Sequence, residues 1–336
     1  MGSTNLTNSI DEHSLNFTQA PFAEHHQLPF SSIIGSFFTS IIACTALVGN
    51  LAVIITTLWI ENLRSQSGNI LIVFLACIDV WTAIFVMIPS AIAVATDGWP
   101  FGDTLCRINA VFNYLCACAS SYITAMISFD RAVAVLFPLR YNSWMTRKAM
   151  ISICLWIIGN TGSVAIMNGS SSNLSYDYYE AACALPYREY FGRVATYCGC
   201  CICYAVPAMV MFTCNVLIFL QIRKSSNKVI GIHISHVGNR SEELTVKKRK
   251  DSEMWKSIYS MIAIITVYYI CFSPYALAKL VKALLDAYAF PWVDYPITIL
   301  VFVSSATNPF IYGILRKDYR EGFKKIPRLV KEKLYW

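Results

Sequence analysis

Seven apolar stretches run along the chain, at roughly 32–59, 69–95, 105–136, 149–168, 191–222, 256–285 and 293–315. Each reaches the ~20 mostly apolar residues that a helix needs to cross a bilayer. The first thirty residues are polar, lack Lys and Arg and have no apolar core, so no cleavable signal peptide is expected and the first span would direct insertion. After the seventh stretch, Tyr319, Phe323 and Ile326 recur at helical spacing among Arg316, Lys317, Arg320, Lys324 and Lys325, the pattern of a helix lying on a membrane surface. The predicted fold is an all-α membrane protein. A seven-transmembrane helix bundle over 32–315 follows an N-terminal tail, 1–31, and precedes an amphipathic helix with a short tail, 316–336.

Composition agrees. The chain is 56% hydrophobic and 14% charged, against about 45–50% and about 25% for soluble domains. Too few charges remain to cover a soluble surface, which excludes disorder and weighs against a soluble enzyme. With the N-terminus outside, the inner segments hold 22 Lys and Arg and nine acids, while the outer segments hold five and ten. Inner segments therefore carry +13 and outer ones −5, a strong positive-inside bias for a multi-pass cell-membrane protein with an extracellular N-terminus and a cytoplasmic C-terminus. No nucleic-acid partner is expected. Lys247-Lys248-Arg249-Lys250, just before span six, suit contact with anionic membrane lipids.

The glycosylation motifs at Asn5, Asn16 and Asn173 fall outside, as this orientation requires. Of thirteen cysteines, only Cys106 and Cys183 lie clearly in outer, oxidising segments. A bridge between them would tie the loop after span four over the bundle; the alternative is two free thiols. Cys198, Cys200, Cys201 and Cys203 sit inside an apolar helix, where small soft side chains serve packing better than a metal cluster.

Ionisable groups inside a membrane are costly and default to functional readings. Asp79 is the one acid deep in a span. It needs a cation, a polar cage or a proton. Asn50, Ser120, Ser304, Ser305 and Asn308 can supply oxygens, so a sodium ion is a plausible guest; the alternative is a protonated Asp79 in a structural network. Asp130-Arg131 ends span three, a weak signal alone. Pro89, Pro207, Pro274 and Pro309 interrupt four spans and free a carbonyl in each.

Together these features resemble the rhodopsin-like (class A) G-protein-coupled receptors over roughly residues 32–326. The resemblance rests on Gly49-Asn50, Leu75-Ala76-Cys77-Ile78-Asp79, Trp99-Pro100-Phe101-Gly102 before Cys106, and Asp130-Arg131. It continues through Pro138-Leu139, Trp156, Pro207, Cys271-Phe272-Ser273-Pro274-Tyr275 and Asn308-Pro309-Phe310-Ile311-Tyr312, in order and on the correct sides. It implies that Asp79, Ser120, Ser304, Ser305 and Asn308 form a sodium pocket and that no other cofactor is used. Arg131 would be a switch held by Asp130, with Phe272 a toggle beneath the ligand. Pro274, Asn308 and Pro309 would allow hinging and Tyr312 would swing inward. Arg131, Pro138 and Leu139 would meet a heterotrimeric G protein. Two departures stand out: Ala132 replaces the usual Tyr after Asp130-Arg131, and Asn215 replaces the Tyr that helps capture the released Arg. Weaker locks on both states are expected.

An extracellular ligand would meet Asn113, Tyr114, Tyr197, Tyr204, Phe272, Lys279 and Phe302. Asn113 stands where aminergic receptors carry an Asp, which disfavours a primary amine. Residues 292–315 contain no Lys, which excludes covalent retinal. Lys279 and Lys282 can attract a carboxylate or phosphate, or instead pair with Asp286 or Asp294; the acidic outer face would suit a basic peptide. The ligand class stays open. A ligand-binding or scavenging receptor with weak or no G-protein coupling is the alternative function, motivated by Ala132 and Asn215. A transporter or intramembrane enzyme lacks support from repeats or a metal motif.

Overall fold

A computed structural model describes residues 29–171, 173–186, 190–233, 241–285 and 291–334. Asn5, Asn16 and Asp286 lie outside them. Among the described residues, seven helices are long and apolar enough to cross a membrane. Span one is Pro29–Trp59 and span two Asn69–Ala95. Span three is Gly102–Leu136, span four Arg147–Gly169 and span five Tyr190–Lys224, whose helix continues to His233. Span six is Ser241–Leu285, running on through Lys247–Lys250, and span seven Pro291–Leu315. A final helix, Lys317–Leu334, is longer than its three-residue apolar stripe required.

Span three runs through the middle, against spans two, four and five, while spans one and six flank span seven. The largest apolar cluster joins Leu71, Leu75 and Ile78 of span two, Ile123 and Ile127 of span three, and Met150, Cys154 and Ile157 of span four. Outward positions such as Phe37, Trp156 and Phe212 stay exposed, as helices surrounded by lipid should. Gly49 lets spans one and seven approach closely: a β-carbon there would lie 2.8 Å from the Pro309 ring.

Prolines break the helix ladder, and buried asparagines repair it. Pro89 leaves the carbonyl of Phe85 without its helical partner, and Asn109 of span three donates to it at 2.9 Å. Pro309 does the same to Ser305, whose carbonyl accepts from Asn50 of span one at 3.0 Å. Spans two and five also wind through a wide π-helical stretch before a proline, at Ala83–Met87 before Pro89 and Gly199–Ala205 before Pro207.

At the end bearing Cys106, the loop after span four forms a two-stranded antiparallel hairpin, β1 (Ser175–Asp177) and β2 (Ala182–Ala184). Cys183 of β2 is bonded to Cys106, with α-carbons 5.5 Å apart, so the bridge is formed and the two free thiols are not. Asn109 fixes the hairpin a second time by accepting from the Cys183 amide at 2.9 Å. At the opposite end the final helix folds back onto spans one and seven. Tyr319 is fully buried, its ring 5.4 Å from that of Tyr312 and its hydroxyl 2.9 Å from that of Thr57. Burial pushes the Tyr319 phenol up to about 12, so it stays a neutral hydrogen-bonding group.

Candidate functional site

Between spans three, five and six, beneath the hairpin, lies a cavity of about 170 Å³. Asn113, Tyr114, Tyr204, Phe272 and Lys279 line it, as the sequence predicted. Tyr197 and Phe302 do not. Tyr197 turns its hydroxyl onto the Ala283 carbonyl at 3.0 Å, leaving Thr196, Gly199 and Cys200 of span five to face the cavity. Phe302, only 3% exposed, fills the gap between spans one and two that the small side chains of Ala43, Ala46 and Ala83 leave. Helix rotation decides both cases, and apolar periodicity is blind to it when every face is apolar.

The floor is aromatic and hydrogen-bonded. Phe272 stacks on Tyr268 with centroids 4.7 Å apart. Tyr268 donates to Ser121 of span three at 3.0 Å, and Tyr204 and Ser273 share a hydrogen bond of 2.6 Å between spans five and six. Tyr268, one helical turn before the Phe272 motif, went unrecognised in the sequence.

At the rim, charges from three elements converge. Glu180, in the turn between β1 and β2, places Oε2 2.5 Å from Lys279 Nζ and Oε1 2.9 Å from Lys282 Nζ. Lys282 also meets Asp294 of span seven at 2.8 Å, so the predicted pairing with Asp294 forms. Glu180 had no sequence signal beyond its position three residues before Cys183. Two outer lysines on one helix turn nevertheless call for acids, and a loop tethered above them can supply one.

Deeper in the bundle, Asn308 donates to Asp79 Oδ2 at 2.9 Å, and Ser305 stands within reach of the same carboxylate. Asp79 Oδ1 and Asn50 Oδ1 are buried without a hydrogen-bond partner. Ser304 spends its hydroxyl on the Val301 carbonyl at 2.7 Å. Ser120, half-buried on span three, makes no hydrogen bond to Asp79 among the described residues. Tyr312 is buried with its hydroxyl unpartnered.

At the end opposite the hairpin, Arg131 is 2.6 Å from Asp130. Tyr141, in a short helical turn after span three, donates to the other Asp130 oxygen at 2.8 Å. Burial first, and Asp130 next, push the Tyr141 phenol upward, so it remains a donor throughout the neutral range. The Arg131 guanidinium occupies a notch at Gly68, where a β-carbon would lie 2.2 Å from its terminal nitrogen. Gly68 and Tyr141 were both missed, because a missing side chain and a lone loop tyrosine carry no pattern. Asn215 bends back onto the Met211 carbonyl at 2.7 Å. Pro138 and Leu139 protrude beyond the inner end, Leu139 being 98% exposed.

The profile of the 7 transmembrane receptor (rhodopsin family) matches residues 49–312. The chain belongs to this family. The receptor is 25% identical over 305 residues to the allatostatin-A receptor of Bombyx mori, covering 88% of this chain and 80% of that one. It is 26% identical over 316 residues to galanin receptor 2b of Danio rerio, covering 90% and 77%. Against 5-hydroxytryptamine receptor 4 of Homo sapiens the figures are 24% over 316 residues, 85% and 77%. It is thus a G-protein-coupled receptor, a multi-pass membrane protein that serves an extracellular ligand and a G protein, and not an enzyme.

Proposed function

We propose that the receptor lies with its N-terminus outside, takes its ligand into the cavity between spans three, five and six, and swings the inner half of span six outward to admit a heterotrimeric G protein. The observation that carries this is the link from cavity wall to inner face. Phe272 lines the cavity, Tyr268 stacks beneath it, and the Tyr268 hydroxyl is donated to span three, the helix that ends in Asp130 and Arg131. A ligand that presses differently on Phe272 and Tyr204 in two arrangements of span six shifts their populations. Pro274 lies between Phe272 and Tyr275, both on the cavity wall, and provides the hinge.

Release of Arg131 requires leaving Asp130 and the Gly68 notch. The exposed Leu139, with Pro138 beside it, then offers the G protein an apolar knob that water solvates poorly. Asp79 Oδ1 and Asn50 Oδ1 are hard oxygens without protein partners, and they fit a sodium ion held with Ser305 and Asn308. Such an ion would add positive charge beside Asp79 and favour the resting arrangement. The +13 inner and −5 outer charge supports the orientation, and Asn173, exposed before the hairpin, then faces outward as a glycan acceptor.

GTP exchange across the G-protein families, in membranes holding wild type or Arg131→Ala, tests the reading. Agonist-driven exchange in wild type should fall at least tenfold in Arg131→Ala while ligand binding persists. Ligand binding with no exchange in any family would turn the reading to the scavenging receptor, with Asn215 folded back on its own helix as the cause.

A further inference from the structure

We propose that Lys279 and Lys282 form a seat for the carboxylate of an acidic organic ligand, and that Glu180 of the outer hairpin holds this seat until the ligand displaces it. The inference rests on the cavity reading above and names the ligand's charged group.

Four observations carry it. Glu180 bridges the two ammonium groups with one oxygen on each, so the pair is already arranged around a carboxylate. That carboxylate is delivered by a loop rather than by the bundle. Ala181, next to it, adopts φ +51, a left-handed conformation that side chains other than glycine rarely take. Its carbonyl is pinned by Ser90 at 2.5 Å, and the amides of Tyr179 and Glu180 donate to Asp177. The loop is therefore forced into a shape that aims Glu180 inward, where the residue is 3% exposed.

The third observation is access. Lys279 lines the cavity and lies 5.1 Å over the Tyr275 ring, whereas Glu180, Lys282 and Asp294 form no part of the wall, so Lys282 is reached only once Glu180 moves. A ligand entering the cavity meets the cation first. The fourth is charge balance. Among the described residues, two ammonium groups face two carboxylates, and Asp294 remains with Lys282 if Glu180 leaves. An incoming carboxylate that replaces Glu180 one for one leaves the charge of the site unchanged, whereas an added cation or a second anion changes the buried charge, which is costly. The wall below Lys279 offers Ala117, Leu185 and Phe272 to an apolar body. The ligand's carboxylate can belong to a small organic acid or to the C-terminus of a peptide. Because the hairpin is tied to span three by Cys183 and Cys106, displacing Glu180 also couples the seat to that helix.

The test uses the full receptor in lipid nanodiscs without G protein, with binding read by isothermal titration. The probes are octanoate against octanamide for a small acid, and N-acetyl-Phe-Leu against its amide for a peptide end. One acid should bind at least tenfold more tightly than its amide, and which one does so identifies the source. Glu180→Gln, which removes the internal competitor but keeps the shape, should tighten that acid at least tenfold. Lys279→Met should weaken it at least tenfold in both backgrounds, and Lys279→Arg should restore it.

An amide binding as well as its acid overturns the proposal. So does acid binding that Glu180→Gln weakens or leaves unchanged, or Glu180→Gln receptor that binds neither acid. If Lys279→Met does not fold, the acid–amide ratio and Glu180→Gln still decide. The two readings fail separately. These binding shifts without any GTP exchange would remove the signalling reading alone, and activation by a neutral ligand that Glu180→Gln leaves untouched would remove the carboxylate seat alone.

Discussion

The outer rim and the inner half of the bundle handle buried polarity in opposite ways. At the rim, Glu180, Lys279, Lys282 and Asp294 close on one another with distances of 2.5–2.9 Å. Even Asp294 Oδ2, which lacks the alignment of a hydrogen bond, lies 2.8 Å from Lys282. In the inner half, Asn50 Oδ1, Thr56 Oγ1, Asp79 Oδ1, Arg131 Nε and the Tyr312 hydroxyl are buried without a hydrogen-bond partner. These atoms hold hydrogen-bonding or ligating capacity that no protein group takes up. A closed cluster holds one geometry until a competing charge arrives. A core with spare polar capacity can exchange one set of partners for another at little net cost, which is what a switch requires.

The contrast breaks most visibly at Lys282. Lys282→Met would leave Asp294 beside an apolar side chain and take from Glu180 one of its two cations, and should cost about 3–5 kcal/mol, read as a lower thermal midpoint in detergent, with Lys282→Arg close to wild type. A Lys282→Met midpoint equal to wild type would mean that the rim is not a stabilising cluster. Cys183→Ser comes next. Freeing a bridge that spans 77 residues should cost roughly 2–4 kcal/mol, and Glu180, the internal competitor, should lose its aim, so stability should fall while carboxylate binding at the rim tightens.

On the inner side, Gly68→Ala puts a methyl group where the Arg131 guanidinium now rests. The long side chain, rather than the helix, should give way, and basal GTP exchange should rise about fivefold, roughly 1 kcal/mol, with the thermal midpoint nearly unchanged. Unaltered basal exchange would show that the notch does not hold the switch. The smallest effect is expected for Tyr268→Phe, which deletes one hydrogen bond to Ser121. A net loss of about 0.5–1 kcal/mol should raise basal exchange roughly twofold and leave the rim untouched. A change in rim binding as large as the change in exchange would show that the two regions are not separable.

Much of this was legible along the chain. The spans were readable because apolar runs of membrane length have few alternatives, and the Cys106–Cys183 bridge because only those thiols fall clearly in segments that loop charge assigns to one side. Asp79 and Asp130–Arg131 drew notice as charges where charge is expensive. Phe302 and Tyr197 lie off the cavity wall, which the sequence could not reveal because rotation of an all-apolar helix leaves no periodic trace. Asn109 went unrecognised as the group that satisfies a proline-freed carbonyl and pins the hairpin at once, since a buried asparagine reads like any other until its partners are in place.

By itself, the sequence determined that this chain crosses the membrane seven times and which charges fall inside its spans, and its loop charges favour one orientation. Hydropathy and loop charge are sums over neighbours in sequence, and the bilayer converts such sums directly into topology. Only the tertiary structure decided that Glu180 bridges the two lysines, that Arg131 rests against Gly68 and that Phe302 leaves the cavity wall. Those outcomes depend on short-range contacts between residues far apart in the chain, where helix rotation and a single missing side chain set the distances.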